Sequence, residues 1–276
     1  MRNLFSSHLL SAAPSCVADT NVNSLDLDGV NDHALFTSDL WGSLTAATLN
    51  WWVKLDTGAY ATVNNRLFHC RKATWDANNR FWIDIVREDH GTHPGKVSST
   101  MQIGGTKYWN WFFDTSAIDF EDGWHMITFV MGTAPKLYVD ASDITGITDA
   151  GSAGGDTTKC FDDLSTASID DYYLGTRYQG DLSSFDFELE GNVSKQTVWD
   201  KELSAAEITE LMCGGLPLDP STHSASGNLA FNYMLGDGTR DDFGGTEIAS
   251  DELDQSAPYP TDGSLVNGVY AATPVS

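Results

Sequence analysis

The sequence contains few cysteines, little positive charge and no long apolar run. Its densest apolar run, Met126 to Met131, is far shorter than the roughly 18 residues that span a bilayer, so we expect no membrane insertion. Four cysteines occur in 276 residues, namely Cys16, Cys70, Cys160 and Cys213. No two are close enough for a CxxC metal or redox motif, and four are too few for a disulfide scaffold. We expect buried free thiols, although two disulfides in any of three pairings stay open.

Positive charge is scarce. The chain has 15 Lys and Arg against 39 Asp and Glu, which gives a formal net charge of −24 and a pI near 4.3. Because nucleic-acid phosphates and anionic membranes would be repelled, neither is an expected partner. Salt screens such self-repulsion, so the composition suits salty water. A hydrophobic content of 41%, with 9 Trp, 9 Tyr and 13 Phe, argues against disorder.

Apolar residues recur with a period of two, which predicts β-strands. Leu49, Trp51, Val53 and Leu55 alternate with the residues between them. Residues 124–131 are apolar on both faces and are followed, after a Gly-Pro-containing turn, by 137–139, which predicts a hairpin. Further predicted strands cover 24–28, 33–37, 81–85, 97–103, 107–113, 171–174, 185–199 with a break at Gly191, 229–235 and 264–270. Many short strands between Gly, Asn and Asp turns indicate an all-β sandwich or barrel.

One short capped helix is predicted near residues 204–213. Ser204 and Glu207 have the spacing of a capping box, and Leu203 with Ile208 has that of a hydrophobic staple. Gly214 and the residues after it end the helix. The Gly-, Asp- and Ser-rich stretch 141–163 is expected to be a long surface loop that carries binding or assembly contacts.

Three segments in sequence order resemble the laminin-G-like, concanavalin-A-like jelly-roll family. They are 24–33, then 122–129 with 137–140, and finally 191–199 with 201–208. The resemblance implies a two-sheet antiparallel jelly-roll sandwich. Residues 1–21, which start like a signal peptide but have an interrupted apolar region, are expected to form an N-terminal arm. Residues 22–276 are expected to form one jelly-roll domain, with a core of 22–216 that is completed by 217–276.

The C-terminal segment resembles a block that often begins such jelly rolls. It comprises residues 228–238, 254–256 and 262–267. A similar arrangement occurs in laminin-G-like proteins of marine bacteriophages, and this resemblance implies a role in the virion. It does not specify an activity, because function resides in sites and not in folds.

Carboxylates alternate in the predicted strand 185–199. Asp186, Glu188 and Glu190 would point to one face, which is how retaining glycosidases of this fold place nucleophile, helper and acid/base. Those enzymes have Glu-x-Asp-x-Glu, whereas this chain has Asp-x-Glu-x-Glu. The alternative, which the acidic composition favours, is a solvated strand face.

A turn with oxygen donors is the candidate metal site. Asp28, Asn31 and Asp32 carry the hard ligands that Ca²⁺ prefers, and relatives of the fold bind calcium near loop edges. Tight hairpins need the same residues for turn geometry, so turn chemistry is the favoured explanation.

Aromatic residues supply the candidate ligand-binding positions. Trp75, Trp109 and Trp111 could stack on sugar rings if they are exposed. Trp51 and Trp82 lie in predicted strands and are expected to be core residues.

The function expected from these observations is that of a non-catalytic structural protein of a bacteriophage virion, in head decoration or an appendage, that also contacts host or environmental glycans. Its partners would be copies of itself and other virion proteins. The alternatives are a secreted calcium-dependent lectin or carbohydrate-binding module and, less favoured, a retaining glycoside hydrolase.

Overall fold

The first sheet is formed by strands from the whole length of the chain. A computed structural model describes residues 16–19, 24–30, 33–37, 41–71, 78–144, 146–148, 156–165, 171–179, 184–233, 240–243, 246–249, 264–266 and 269–271. Within these ranges, the strands of the first sheet are β1 (Ser24–Asp28), β3 (Ala47–Leu55), β8 (His125–Met131), β9 (Lys136–Val139), β10 (Ser142–Ile144), β15 (Glu190–Trp199), β18 (Leu229–Tyr233), β19 (Arg240–Phe243), β20 (Thr246–Ala249) and β22 (Val269–Ala271).

The second sheet packs against the first. Its strands in the described ranges are β2 (His33–Thr37), β4 (Asn65–Arg71), β5 (Arg80–Ile85), β6 (Val97–Ile103), β7 (Thr106–Phe113), β11 (Gly146–Thr148), β12 (Asp171–Leu174) and β21 (Ser264–Val266). Two small antiparallel pairs accompany the sheets, namely β13 (Arg177–Gln179) with β14 (Ser184–Asp186) and β16 (Met212–Cys213) with β17 (Leu216–Pro217). The all-β, two-sheet antiparallel jelly-roll sandwich expected from the sequence is confirmed.

The alternation of side chains explains why the two sheets form one core. In β3, Leu49, Trp51 and Val53 point between the sheets, and in β5 Phe81 and Ile83 face them. All five are fully buried. The side chains on the other face of each strand point away from this core. On the second sheet these outward side chains are polar.

Helices are few and short among the described residues. They are α1 (Phe161–Ser165), α2 (Ala205–Glu210) and two single 3₁₀ turns, Pro220–Thr222 and Ser226–Asn228. None of them is long and apolar enough to cross a membrane. The helix α1 and the strands β10 and β11 lie in the stretch 141–163 that was expected to be a loop, so the described part of that stretch extends both sheets.

The predicted capping box of α2 is present. Ser204 Oγ accepts a hydrogen bond from the backbone N–H of Glu207, and Glu207 Oε2 accepts one from the backbone N–H of Ser204 at 2.7 Å. Leu203 and Ile208 are buried in a second apolar cluster, between α2 and the outer face of the first sheet, together with Trp52 and Trp199. This covering explains why part of the outer face of the first sheet is apolar.

The cysteine prediction is half correct. Cys70 and Cys160 are buried free thiols, and burial raises the pKa of Cys160 to about 12. Cys16 and Cys213, in contrast, form a disulfide across a sequence separation of 197 residues. Their spacing in the sequence did not indicate that they pair, because the fold alone brings their Cα atoms to 5.6 Å. The disulfide joins the segment 16–19 to β16, and Ala18 of that segment forms a β-bridge with Leu218.

The strand predicted over 185–199 is broken at a different place. The break lies at 187–189, between β14 and β15, and Phe187 there has a left-handed backbone with φ of 54°. Gly191 lies inside β15 with φ of 143°, and a Cβ atom there would be 2.4 Å from the carbonyl oxygen of Lys54. The glycine therefore permits the close approach of β3 and does not end the strand.

Candidate functional site

The outer face of the second sheet is polar, charged and aromatic. Because Phe68 and Cys70 of β4 point into the core, neighbouring positions on that strand point outward. The same alternation holds in β5 and β12. We call the resulting set the polar face; it consists of Arg66, His69, Arg71, Arg80, Trp82, Asp84, Asp171 and Tyr173.

Two buried ion pairs link adjacent strands on the polar face. Arg66 lies opposite Asp84 and binds it with two nitrogens, one contact being Nη2 to Oδ2 at 3.0 Å. Arg71 lies opposite Asp171, with Nη2 3.2 Å from Oδ2. Tyr173 Oη accepts from Arg71 at 3.0 Å and donates to Asp171 at 3.1 Å. Charges this deeply buried need such partners, because an unpaired buried ion costs several kcal/mol.

Guanidinium groups also lie over aromatic rings on this face. Arg66 lies 5.3 Å and Arg80 lies 4.8 Å from the ring centroid of Trp82, and Arg71 lies 5.4 Å from that of Tyr173. Trp82, expected in the core, is instead half-buried on the polar face because β5 alternates around it. These stacked contacts hold the planar guanidinium groups in fixed orientations.

His69 lies in the middle of the polar face and is fully buried. Neither of its ring nitrogens has a hydrogen-bond partner. Burial lowers its pKa well below the usual value, and the positive charges of Arg66 and Arg71 lower it further, followed by those of Arg80 and Arg177. The imidazole is therefore neutral.

A turn with unusual backbone geometry adjoins the polar face. The left-handed φ of Phe187 is costly for a residue with a large side chain, by about 1–3 kcal/mol. Its carbonyl oxygen accepts from the backbone N–H of Arg66 at 2.8 Å. Its ring lies 4.3 Å from the guanidinium carbon of Arg177 and 5.5 Å from that of Arg66. Arg177 in turn binds Asp186 across the β13–β14 pair.

Phe187 also lines an open groove of about 530 Å³ at one end of the sandwich. The turns between β3 and β4 and between β5 and β6 form the rest of it. We call it the Phe187 groove; it is lined by Thr62, Val63, Asn64, Arg87, His90 and Phe187.

Polar side chains in this groove have fixed roles. Arg87 Nη1 donates to the carbonyl oxygen of Thr62 at 3.2 Å, and its Nε lies 3.1 Å from Asp89 Oδ1. His90 Nδ1 accepts from the backbone N–H groups of Thr92 and His93, so the imidazole carries its proton on Nε2. An apolar ring, a guanidinium and an imidazole thus line one concave surface.

The three predicted carboxylates do not form one row. The turn at Phe187 separates them, so Asp186 ends β14, Glu188 lies in the break and Glu190 begins β15. Asp186 is ion-paired with Arg177, Glu188 is half-buried and Glu190 is exposed. The common face expected from strand alternation is wrong, because positive φ at Phe187 changes the direction of the chain.

The proposed calcium ligands are only partly covered by the structure. Asp28 ends β1, and its Oδ1 accepts from the backbone N–H of Val30 at 2.9 Å, as in a tight turn. Asn31 and Asp32 lie outside the described residues. Burial raises the pKa of Asp26 nearby, and Asp56 raises it further. Among the residues that the structure describes, no group of three or more His, Cys, Asp or Glu side chains is arranged to bind a metal ion.

The three candidate tryptophans differ in position. Trp109 is fully buried and its Nε1 donates to Ser99 Oγ at 3.2 Å, so its ring is not available at the surface. Trp111 is half-buried and packs against the core beside Phe113. Trp75 lies outside the described residues.

Sequence reasoning missed both the polar face and the Phe187 groove. The strand β4 was not predicted, because a β-bulge between Arg66 and Phe68 interrupts its alternation. The pattern Phe68, His69, Cys70, Arg71 is nevertheless alternating, and it is the signal from which the outward residues could have been inferred.

Comparisons with known proteins agree with the fold. No protein-family model and no curated protein matches the chain. Among solved structures, a proposed carbohydrate-binding protein from Bacteroides ovatus is similar with a TM-score of 0.56 and 15% identity over 92% of this chain and 61% of that one. The CBM40 module of the Ruminococcus gnavus IT-sialidase, bound to α2,3-sialyllactose, has a TM-score of 0.50 and 13% identity over 68% of this chain and 97% of its own.

A leech intramolecular trans-sialidase is also similar, with a TM-score of 0.52 and 14% identity over 69% of this chain and 27% of the enzyme. At these identities the comparisons show the fold alone. The class that fold and topology define is an antiparallel two-sheet jelly-roll sandwich.

Proposed function

We propose that this protein is a non-catalytic glycan-binding domain and that saccharides bind in the Phe187 groove. The observation that carries the proposal is the groove itself, where a half-buried aromatic ring lies beside Arg87, Asn64 and His90. An aromatic ring can cover the apolar face of a sugar, while amide, imidazole and guanidinium groups bind its hydroxyls.

The geometry of Phe187 supports the proposal. A phenylalanine with left-handed φ persists only where its surroundings compensate for the cost, and such residues cluster at functional sites. Here two guanidinium groups and a backbone hydrogen bond fix the ring. A ring fixed in advance loses little conformational freedom when a ligand binds.

Binding is favoured over hydrolysis by the chemistry of the groove. A retaining glycosidase needs two carboxyl groups about 5–5.5 Å apart across the scissile bond. The described residues that line the Phe187 groove carry no carboxylate, and Asp186 is engaged by Arg177. The similarity to a carbohydrate-binding protein and to a CBM40 module agrees with a binding role.

The test is a glycan array followed by titration calorimetry of the best ligand. We expect Phe187→Ala to abolish binding and Phe187→Trp to retain it, because the second variant keeps an aromatic face. Leu216→Ala is the matched control, since Leu216 is a solvent-accessible apolar residue that lies in β17 and does not line the groove. Unchanged affinity in Phe187→Ala would refute the assignment of the groove.

The structural role in a bacteriophage virion, as part of a homo-oligomer with other virion proteins, remains a proposal from the sequence resemblance. Co-sedimentation of the protein with purified particles would support it, and a stable monomer absent from particles would contradict it. The alternative of a calcium-dependent lectin is tested in the same glycan assay by adding a chelator.

A further inference from the structure

We propose that the Phe187 groove selects saccharides that carry an acidic group, and that Arg87 binds this group by displacing Asp89. The inference rests on the proposed glycan-binding function and specifies its ligand class. The acidic group is a carboxylate or a sulfate on the sugar, and the experiment below separates the two.

Arginine is concentrated around this site. The chain has seven arginines, Arg2, Arg66, Arg71, Arg80, Arg87, Arg177 and Arg240. Five of the seven lie on the polar face, on the adjoining β13 or in the Phe187 groove. In a chain with a net charge of −24 this is a local concentration of guanidinium groups. Arginine, unlike lysine, offers a planar set of donors that match carboxylate and sulfate oxygens in pairs.

Four of these arginines form ion pairs with acidic residues, and the pairs differ in how far they are exposed to solvent. Arg66 and Arg71 form pairs whose side chains are nearly inaccessible to solvent. Arg177 is also held, by Asp186 and by the ring of Phe187. The pair of Arg87 and Asp89 is different, because the two side chains are 44% and 53% exposed.

An exposed ion pair is easily exchanged. Its partners are already solvated and contribute little to stability, so a ligand anion can replace Asp89 at small cost. Arg87 uses Nη1 for the carbonyl of Thr62 and Nε for Asp89, which leaves three of its five N–H donors for a ligand. The contact with Thr62 fixes the position of the guanidinium in the groove.

Two further guanidinium groups lie beside the groove. Arg66 and Arg177 flank the ring of Phe187, which lines the groove. A ligand anion over Phe187 would therefore lie near these two guanidinium groups, each of which is paired with an aspartate.

The experiment compares affinities for a neutral disaccharide and for the same disaccharide bearing a sialic acid, a uronic acid or a sulfate. We expect the acidic forms to bind about tenfold more tightly or better, since a charge-assisted hydrogen bond is roughly twice as strong as a neutral one. Arg87→Gln should reduce affinity for the acidic forms by a much larger factor than affinity for the neutral sugar, because only the acidic forms lose a charge-assisted contact. Asp89→Asn should increase affinity for the acidic forms, because it removes the competing anion.

Separate titrations with the carboxylated and the sulfated disaccharides distinguish the two acidic groups. Arg87→Lys should weaken the binding of both, because lysine lacks the planar pair of donors that matches two oxygens of one group. Lys159→Gln is the matched control, because Lys159 pairs with Asp156 and Asp163 outside the groove and the variant loses the same single charge. Its affinities should equal those of the unmodified protein, which shows that net charge is not the cause.

The outcomes distinguish this inference from the proposed function. Equal affinity for neutral and acidic sugars, or equal loss for both in Arg87→Gln, overturns acidic selectivity while glycan binding stands. A lower acidic affinity in Asp89→Asn also overturns it. Absence of binding to every glycan overturns the proposed function and the inference with it. Unchanged melting temperatures in all variants exclude misfolding as an explanation.

Discussion

Removal of Asp84 should destabilise the protein severely although the residue is far from the centre of the core. The side chains of Arg66 and Asp84 are 3% and 6% exposed, so Asp84→Leu leaves a guanidinium buried without its carboxylate. Breaking a buried pair in this way costs about 3–5 kcal/mol. Arg66 cannot avoid the cost by losing its proton, since arginine stays charged in proteins.

A double variant tests whether the pair itself stabilises the fold. Arg66→Met with Asp84→Leu removes both charges and keeps an unbranched, polarisable side chain against Trp82 and Phe187. Replacing a buried pair by apolar residues of similar volume is often neutral, so we expect a loss below about 2 kcal/mol. The double variant should therefore be more stable than Asp84→Leu alone.

Urea unfolding at pH 7, followed by tryptophan fluorescence, measures these losses. Asp89→Asn is the control, because it breaks an exposed Arg–Asp pair and should cost at most about 1 kcal/mol. A cost under about 1 kcal/mol for Asp84→Leu would refute the argument that burial makes the charge expensive. The argument would also be refuted if the double variant lost as much free energy of unfolding as Arg66→Met and Asp84→Leu lose together when made singly.

Three further predictions concern the other buried or capped groups. The hydrogen bond and charge of Lys201 lower the pKa of Glu207 from 4.5 to about 2. The stability that the Glu207 carboxylate contributes is therefore present above pH 4.5 and is lost as the pH falls toward 2. Glu207→Gln should reduce stability at pH 7 by about 1 kcal/mol and flatten this acid transition in urea titrations. Asp140 raises the pKa of His125 above 6.5. The stability that the protonated imidazole contributes is therefore full below pH 6.5 and is lost as the pH rises through the raised pKa. In melting curves, His125→Gln should remove this pH-dependent loss of stability, and an unchanged pH profile would contradict the prediction. The disulfide of Cys16 and Cys213 closes a loop of 197 residues in sequence separation, so reduction should cost up to about 5 kcal/mol, and a Cys16→Ser variant should show no further loss with reductant.

Local sequence patterns sufficed where a structure depends on neighbouring residues. The helix α2 was predictable because Ser204 and Glu207 satisfy its first backbone N–H groups and Leu203 packs against Ile208, all within six residues. Strands such as β3 and β8 were predictable because one face must be apolar to enter the core. The all-β class follows from many such strands.

The disulfide and the turn at Phe187 were not predictable in this way. Cys16 and Cys213 are 197 residues apart in sequence, and they meet where Ala18 forms a β-bridge with Leu218. Phe187 adopts a left-handed backbone that its own sequence disfavours, since distant contacts to Arg66 and Arg177 compensate for the cost.

Composition and short-range periodicity account for many of the strands, for the capped helix and for the acidic character of this protein. The candidate site depends on contacts between distant parts of the chain. Arg66, Arg87 and Phe187 come from three separate parts of the chain. The pairing of β4 with β5 brings Arg66 and the turn of Arg87 to one part of the second sheet, and Phe187 is joined to them by the hydrogen bond between its carbonyl oxygen and the backbone N–H of Arg66. Short-range periodicity carries no information about contacts between such distant parts of the chain.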